Sequence, residues 1–204
     1  MHEILTGASV SLGIDLPNIA EAADLSARVR GQASELLKGI VPPIEAFDVL
    51  VMGSLAREEL TANSDFDTLV VAFGLPTDVS ITKRLLSSLT EVGQKLGLNR
   101  PGATRMFGRV VAAPDLTERI GLEDDTNVTH SRRILVLQES ISIYQPDLRI
   151  RLVEAILDRY LIDYKEDKPG VARFLLNDIL RYWRTIAVDY QAKRWEQLEP
   201  DWGL

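Results

Sequence analysis

The amino-acid sequence predicts an α+β protein: a small mixed β-sheet flanked by helices, followed by an all-helical C-terminal half. Three observations carry this reading. Short apolar runs at residues 46–52, 66–73 and 105–113 have the length and composition of buried strands. Between and before them, apolar residues recur at helical spacing. After Gly121 no further strand-like run occurs, and the chain reads as helices through residue 195. The sequence therefore divides into a mixed core over residues 1–123 and a helical segment over 124–204.

The first helix spans residues 18–40, where Ile19, Ala22, Leu25, Val29, Ala33, Leu36 and Leu37 share a face. Pro42-Pro43 stops it, since proline lacks the N–H that helix propagation needs. The run 46–52 is the first strand, Gly53-Ser54 a turn, and residues 55–60 a brief helix. The second strand is 66–73. A helix over 78–96 follows on Ile81, Leu85, Leu89, Val92 and Leu96, with Gly97 as its stop. The third strand, 105–113, centres on Val110-Val111, and Pro114-Asp115 opens a helical turn. Helices at 128–143, 148–164 and 170–195 complete the chain, punctuated by Gln145-Pro146 and Lys168-Pro169-Gly170. This order is too short and too irregular for a doubly wound fold.

With 204 residues, 46% of them hydrophobic, the chain can bury one substantial core. The absence of cysteine excludes disulfides and thiolate-ligated zinc. The N-terminus has no basic stretch followed by an apolar run, and no segment is apolar enough to span a bilayer, so a soluble cytoplasmic protein without a membrane partner is expected. Net charge is −7; from Asp147 onward 10 Lys/Arg meet 11 Asp/Glu, leaving −6 on the first 146 residues. That balance argues against broad non-specific nucleic-acid binding and suits carboxylates that hold cations.

Chemistry concentrates in two stretches, 49–54 (Val-Leu-Val-Met-Gly-Ser) and, ten residues later, 65–71 (Asp-Phe-Asp-Thr-Leu-Val-Val). A strand delivers Gly53-Ser54 into a helix start, where free backbone N–H groups can receive phosphate oxygens. Glycine permits close approach, and the Ser54 hydroxyl adds a donor. Asp65 and Asp67 stand two apart at the leading end of a strand, so their side chains leave one face. Two such carboxylates repel one another unless a divalent cation lies between them, and magnesium bound to both and to a triphosphate fits. Gly, Ser and two Asp at fixed spacing arise by chance in on the order of one chain in a hundred.

These residues, from Gly53-Ser54-Leu55-Ala56-Arg57-Glu58-Glu59-Leu60 through Ser64-Asp65-Phe66-Asp67, resemble the polymerase-beta-like nucleotidyltransferase superfamily. Within it the nearest likeness is to the bacterial branch containing the uridylyltransferases of nitrogen-regulatory signal proteins. Gly53, Ser54, Arg57, Glu59, Ser64, Asp65 and Asp67 match its features over about 25 residues. The resemblance implies a small nucleotidyltransferase core, a nucleoside triphosphate as substrate, two divalent ions (Mg2+, with Mn2+ as an alternative), and transfer of a nucleoside monophosphate with release of pyrophosphate. The acceptor within the superfamily is a protein side chain, an RNA end, a small molecule or another nucleotide, and neither it nor the oligomeric state is set by the sequence.

The superfamily adds a third carboxylate on a later strand. Here residues 106–113 contain no acid, and Asp115 is the nearest candidate, although Pro114-Asp115-Leu116-Thr117 reads equally as a helix N-cap; Asp124 and Asp125 lie further on. Two alternatives follow: a catalytically silent nucleotide-binding module of the same fold, or a glycosyltransferase using Asp-x-Asp, against which the Gly-Ser unit and the short chain both count. Arg57, one turn beyond Gly53-Ser54, is placed to reach a phosphate. On the last helix Leu176, Ile179, Trp183, Ile186 and Tyr190 form an apolar stripe expected to be core. Asn177, Arg181 and Arg184 lie beside it, with Arg181 the candidate triphosphate contact. His130 reads as a surface or capping residue, and Arg132-Arg133 as a solvated pair.

Overall fold

A computed structural model describes residues 7, 9–42, 46–74, 79–101, 106–162 and 170–198. Phe47–Val51 (β1) and Thr68–Ala72 (β2) are buried at every position and pair antiparallel, Phe47 opposite Ala72 and Val51 opposite Thr68. Arg109–Ala112 (β3) lies parallel to β2, with Leu69 opposite Arg109. A two-residue strand, Ile141–Ser142 (β4), pairs antiparallel with the other side of β1. The sheet is therefore four-stranded and mixed, in the order β3-β2-β1-β4.

Because side chains alternate across a strand, the sheet sorts its residues into two cores. Phe47, Val49 and Val51 of β1 and Val70 and Ala72 of β2 face one way. They pack with Val29, Ala33 and Leu37 of α1 (Pro17–Ile40) and Leu85, Leu89 and Val92 of a later helix, Val79–Lys95. Leu50, Met52, Leu69, Val71 and Val111 face the other way. Numbered in chain order, the helices are α1, α2 (Gly53–Arg57), α3 (Val79–Lys95), α4 (Ala113–Thr117), α5 (Asn127–Glu139), α6 (Pro146–Tyr160) and α7 (Arg173–Leu198). Helices α4 to α7 cover the second face through Leu116, Ile134, Leu152, Ile156 and Tyr182.

Proline at the first turn starts α1, α4 and α6, where its missing N–H costs nothing. Thr126 caps α5, its side chain accepting from the Thr129 N–H at 3.1 Å. The expected helix over 128–143 ends at Glu139 instead, because Ser140 turns the chain and Ile141–Ser142 enter the sheet. The segments on either side of residue 123 thus share one sheet and one apolar face. The buried carboxylate of Asp48 fixes this junction: its Oδ1 accepts from the Val49 N–H (2.7 Å), the Ser142 hydroxyl (2.7 Å) and the Gln145 N–H (2.8 Å). Its other oxygen, Oδ2, has no hydrogen bond. Burial pushes the group up to about 6, against the opposing pull of those hydrogen bonds.

The helical half differs from its sequence reading in three places. Arg133 is fully buried rather than solvated. Its guanidinium grips Asp125 through two bonds of 3.2 and 2.6 Å and donates to the Tyr160 hydroxyl at 2.8 Å. Tyr160 in turn donates to Asp178 at 2.7 Å. His130 is buried too, its Nε2 donating to the Asp178 carbonyl at 3.0 Å, and burial first of all lowers its pKa. This network ties α5, α6 and α7 together around charges that satisfy one another. The stripe expected as core on α7 is divided: Ile179 packs inward with Leu175 and Tyr182, whereas Leu176, Trp183, Ile186 and Tyr190 are exposed, as is Leu180 outside the stripe. Helix α7 is apolar on two faces, and periodicity alone does not say which one the sheet will take. No helix among the described residues is long and apolar enough to cross a membrane.

Truncating Arg133 leaves Asp125 buried without its partner. Arg133→Ala should cost about 3–5 kcal/mol and lower Tm by roughly 10 °C in thermal denaturation, whereas an exposed control such as Arg184→Ala should shift it by no more than about 2 °C.

Candidate active site

The antiparallel pairing of β1 and β2 brings the end of one strand beside the start of the other. Beyond the last ladder pair the Met52 N–H donates to the Asp67 carbonyl at 3.0 Å, which sets Gly53 against Asp67. Gly53 has φ +62°, in the left-handed region, and a Cβ at that position would lie 3.0 Å from Asp67 Oδ2. Both properties favour glycine. The carboxylate and the Gly-Ser backbone are thus packed together, as the spacing predicts.

Phe66 turns into the first core, where it packs so closely on Gly93 that an added Cβ there would stand 3.0 Å from its ring. Asp65 and Asp67, on either side of Phe66, consequently share the opposite face. Asn99 holds their loop: its carbonyl accepts from the Phe66 N–H (2.9 Å), its N–H donates to the Ser64 carbonyl (3.1 Å) and its side chain donates to the Asn63 carbonyl (2.9 Å). The Ser64 hydroxyl accepts from the Thr61 N–H at 2.9 Å, so Ser64 shapes the loop. Behind α2, Arg30 donates to the Leu55 carbonyl at 2.9 Å and Ser26 accepts from the Leu60 N–H at 3.1 Å.

These residues open onto a cavity of about 600 Å³ between the sheet end and α5 and α7. Gly53, Ser54, Arg57, Ser64, Asp65 and Asp67 all line it. Sequence reasoning missed its far wall, formed by Glu139 of α5 and by Tyr182, Thr185, Ile186, Asp189 and Lys193 of α7. The available signal was their spacing: 182, 185, 186, 189 and 193 recur at three and four on one helix face. Arg181 is not among the lining residues; it is turned toward α5 and donates to the Asn127 side chain. Asn177 and Arg184 are exposed.

The candidates for a third carboxylate lie elsewhere. Since β2 and β3 run parallel, Asp115, just past the end of β3, sits at the opposite end of the sheet from Asp67, and it pairs with Arg119 at 3.2 Å. Asp124 also pairs with Arg119, at 2.8 Å, and Asp125 belongs to the Arg133 network. Among the described residues no three His, Asp or Glu side chains converge closely enough to hold a metal ion.

Electrostatically the cavity is uneven. Asp65, Asp67, Glu139 and Asp189 face two cations, Arg57 and Lys193, and Lys193 is taken by Asp189 at 2.7 Å. Burial, then the neighbouring charges of Asp65 and Glu139, push the Asp67 carboxyl up to about 6. Arg57 bridges Glu139 (2.5 Å) and Glu59 (2.9 Å); burial opposes its charge, and these two partners more than offset that. Tyr182 is pushed up to about 12 by burial and by Glu139. An anionic pair crowded against a glycine backbone, with both cations that line the cavity engaged by other carboxylates, fits a site for a divalent cation.

The strain at Asp67 is testable without any ligand. Ionising a carboxyl whose folded pKa exceeds its unfolded 3.8 opposes folding, so the penalty is absent well below pH 3.8, grows between there and about pH 6, and is complete above it. Asp67→Asn should raise Tm by about 3–6 °C at pH 7.5, equivalent to about 1–2 kcal/mol after solvent screening, and by only a small fraction of that at pH 4. An equal gain at both values would remove the electrostatic account.

Comparison with known protein families, curated proteins and solved structures returned no match to this chain.

Proposed function

We propose that this protein is a metal-dependent nucleotidyltransferase that moves a nucleoside monophosphate from a nucleoside triphosphate to an acceptor hydroxyl. The observation that carries the reading is the contact of Gly53 with Asp67. A glycine-serine backbone suited to phosphate and a carboxylate pair suited to a dication meet at the mouth of one cavity. The order helix, strand, Gly-Ser turn, antiparallel strand led by Asp-x-Asp, helix, parallel strand supports the resemblance to the polymerase-beta-like superfamily.

On this reading Asp65 and Asp67 hold magnesium, while the Gly53 and Ser54 backbone and the Ser54 hydroxyl receive phosphate oxygens. The metal, when bound, neutralises triphosphate charge and lowers the pKa of an acceptor oxygen beside it. The cavity walls hold the acceptor in line. Its oxygen forms a bond to the α-phosphorus as the bond from that phosphorus to the α–β bridging oxygen breaks. Pyrophosphate leaves with the bridging oxygen, and the acceptor proton passes to a carboxylate or to water.

A second reading is favoured by one observation, that among the described residues no three acidic side chains converge on one point. It is a module of the same fold that binds nucleotide without transferring it. Incubation with each labelled triphosphate and Mg2+, with protein, RNA and small-molecule acceptors, separates the two. Pyrophosphate release lowered roughly 100-fold or more by Asp65→Ala or Asp67→Ala is expected. Saturable binding with no release in any combination would leave only the silent module.

A further inference from the structure

Glu139 was not anticipated as a site residue, and its position follows from β4. The pairs Leu50–Ser142 and Val51–Ile141 set the register of that edge. Glu139 is the last residue of α5, two before β4, so it reaches the sheet near the end of β1, where Gly53 begins α2, on the side away from β3. Glu139 lines the same cavity as Asp65 and Asp67, and its charge is felt at Asp67 and at Tyr182. It is the less exposed partner of its ion pair: 16% of its side chain is accessible, against 38% for Arg57.

We propose that Glu139 is the third carboxylate of this site and that Arg57 holds it away from the metal until a triphosphate arrives. The inference rests on the nucleotidyltransferase reading and adds to it a ligand and its regulation. Arg57 follows Gly53-Ser54 by one helical turn, within the cavity, and its guanidinium is saturated by Glu139 and Glu59. An incoming triphosphate offers a planar guanidinium a more highly charged bidentate partner than either carboxylate. Once Arg57 swings to phosphate, Glu139 is left as a part-buried anion facing two other carboxylates. That state is tolerable only with a cation among them. The protein thereby keeps its third metal ligand neutralised at rest and exposes it when substrate is present. No bond is made or broken in the exchange; one ion pair is replaced by two.

The proposal predicts opposite effects from the two halves of the pair, which a purely structural salt bridge would not give. Arg57→Gln frees Glu139 and should bind Mn2+ alone about 10-fold more tightly than the wild type, read from the electron paramagnetic resonance signal of free Mn2+. Glu139→Gln frees Arg57 and should bind inorganic tripolyphosphate in EDTA about 10-fold more tightly, read by calorimetry. The double variant should lose the gain in Mn2+ affinity, and thermal melts of all variants establish that each is folded. Asp67→Asn serves as the reference for the underlying reading and should abolish Mn2+ binding in every background. If Mn2+ binding depends on Asp67 but Arg57→Gln leaves it unchanged, the latch is overturned and the metal site stands. If Mn2+ binding is absent, or does not depend on Asp67, the nucleotidyltransferase reading falls and the latch with it.

Discussion

The antiparallel contact between the end of β1 and the start of β2 is the constraint from which the candidate site follows. It joins a residue that must have positive φ to a carboxylate that must ionise in a crowded place, through one hydrogen bond from Met52 to Asp67. Neither requirement is met cheaply. Burial and two like charges disfavour the Asp67 anion, and left-handed backbone disfavours a side chain at Gly53. Local strain of this kind persists only where the surroundings over-determine it. Here they do so from below, through Phe66 wedged on Gly93 and Asn99 bonded to the loop. From behind, α1 contributes Arg30 and Ser26.

The opposite wall has a different support. Helix α7 carries Tyr182, Thr185, Ile186, Asp189 and Lys193 into the cavity, yet much of its outward surface is apolar and uncovered. Its placement therefore relies on the N-terminal half, where Asp178 accepts from Tyr160 and Tyr160 from Arg133. A buried ionic network is a costly way to hold a helix, but it is directional where apolar packing is not. It fixes the rotation of α7 and hence which of its two apolar faces meets the sheet.

How much of this was legible depended on whether the signal was local. Gly53-Ser54 and Asp65-x-Asp67 could be read from spacing because each acts through its own strand end. Their meeting needs only the pairing of two consecutive strands. The core strands were legible for the same reason, being short apolar runs between turns. Glu139 was not, because its place is set by a two-residue strand too short to show a period, though Ser140-Ile141-Ser142-Ile143 does alternate. Arg133 and His130 looked like surface residues because a single sequence does not show that Asp125, Tyr160 and Asp178 will converge on them. Asp115 was selected by its nearness in sequence to β3, and the parallel direction of that strand carries it to the wrong end of the sheet.

The two outer strands of the sheet have a consequence of another kind. At one edge β4 offers only two residues, and at the other β3 offers four, led by the exposed Arg109. A growing stack of chains needs a long, flat, unpaired margin to template on, and among the described residues this sheet presents none. The inner strands β1 and β2, buried along their whole length and apolar but for Asp48 and Thr68, would be hazardous as free margins. Enclosing them between two stubs lets the protein keep a highly hydrophobic centre without making it adhesive.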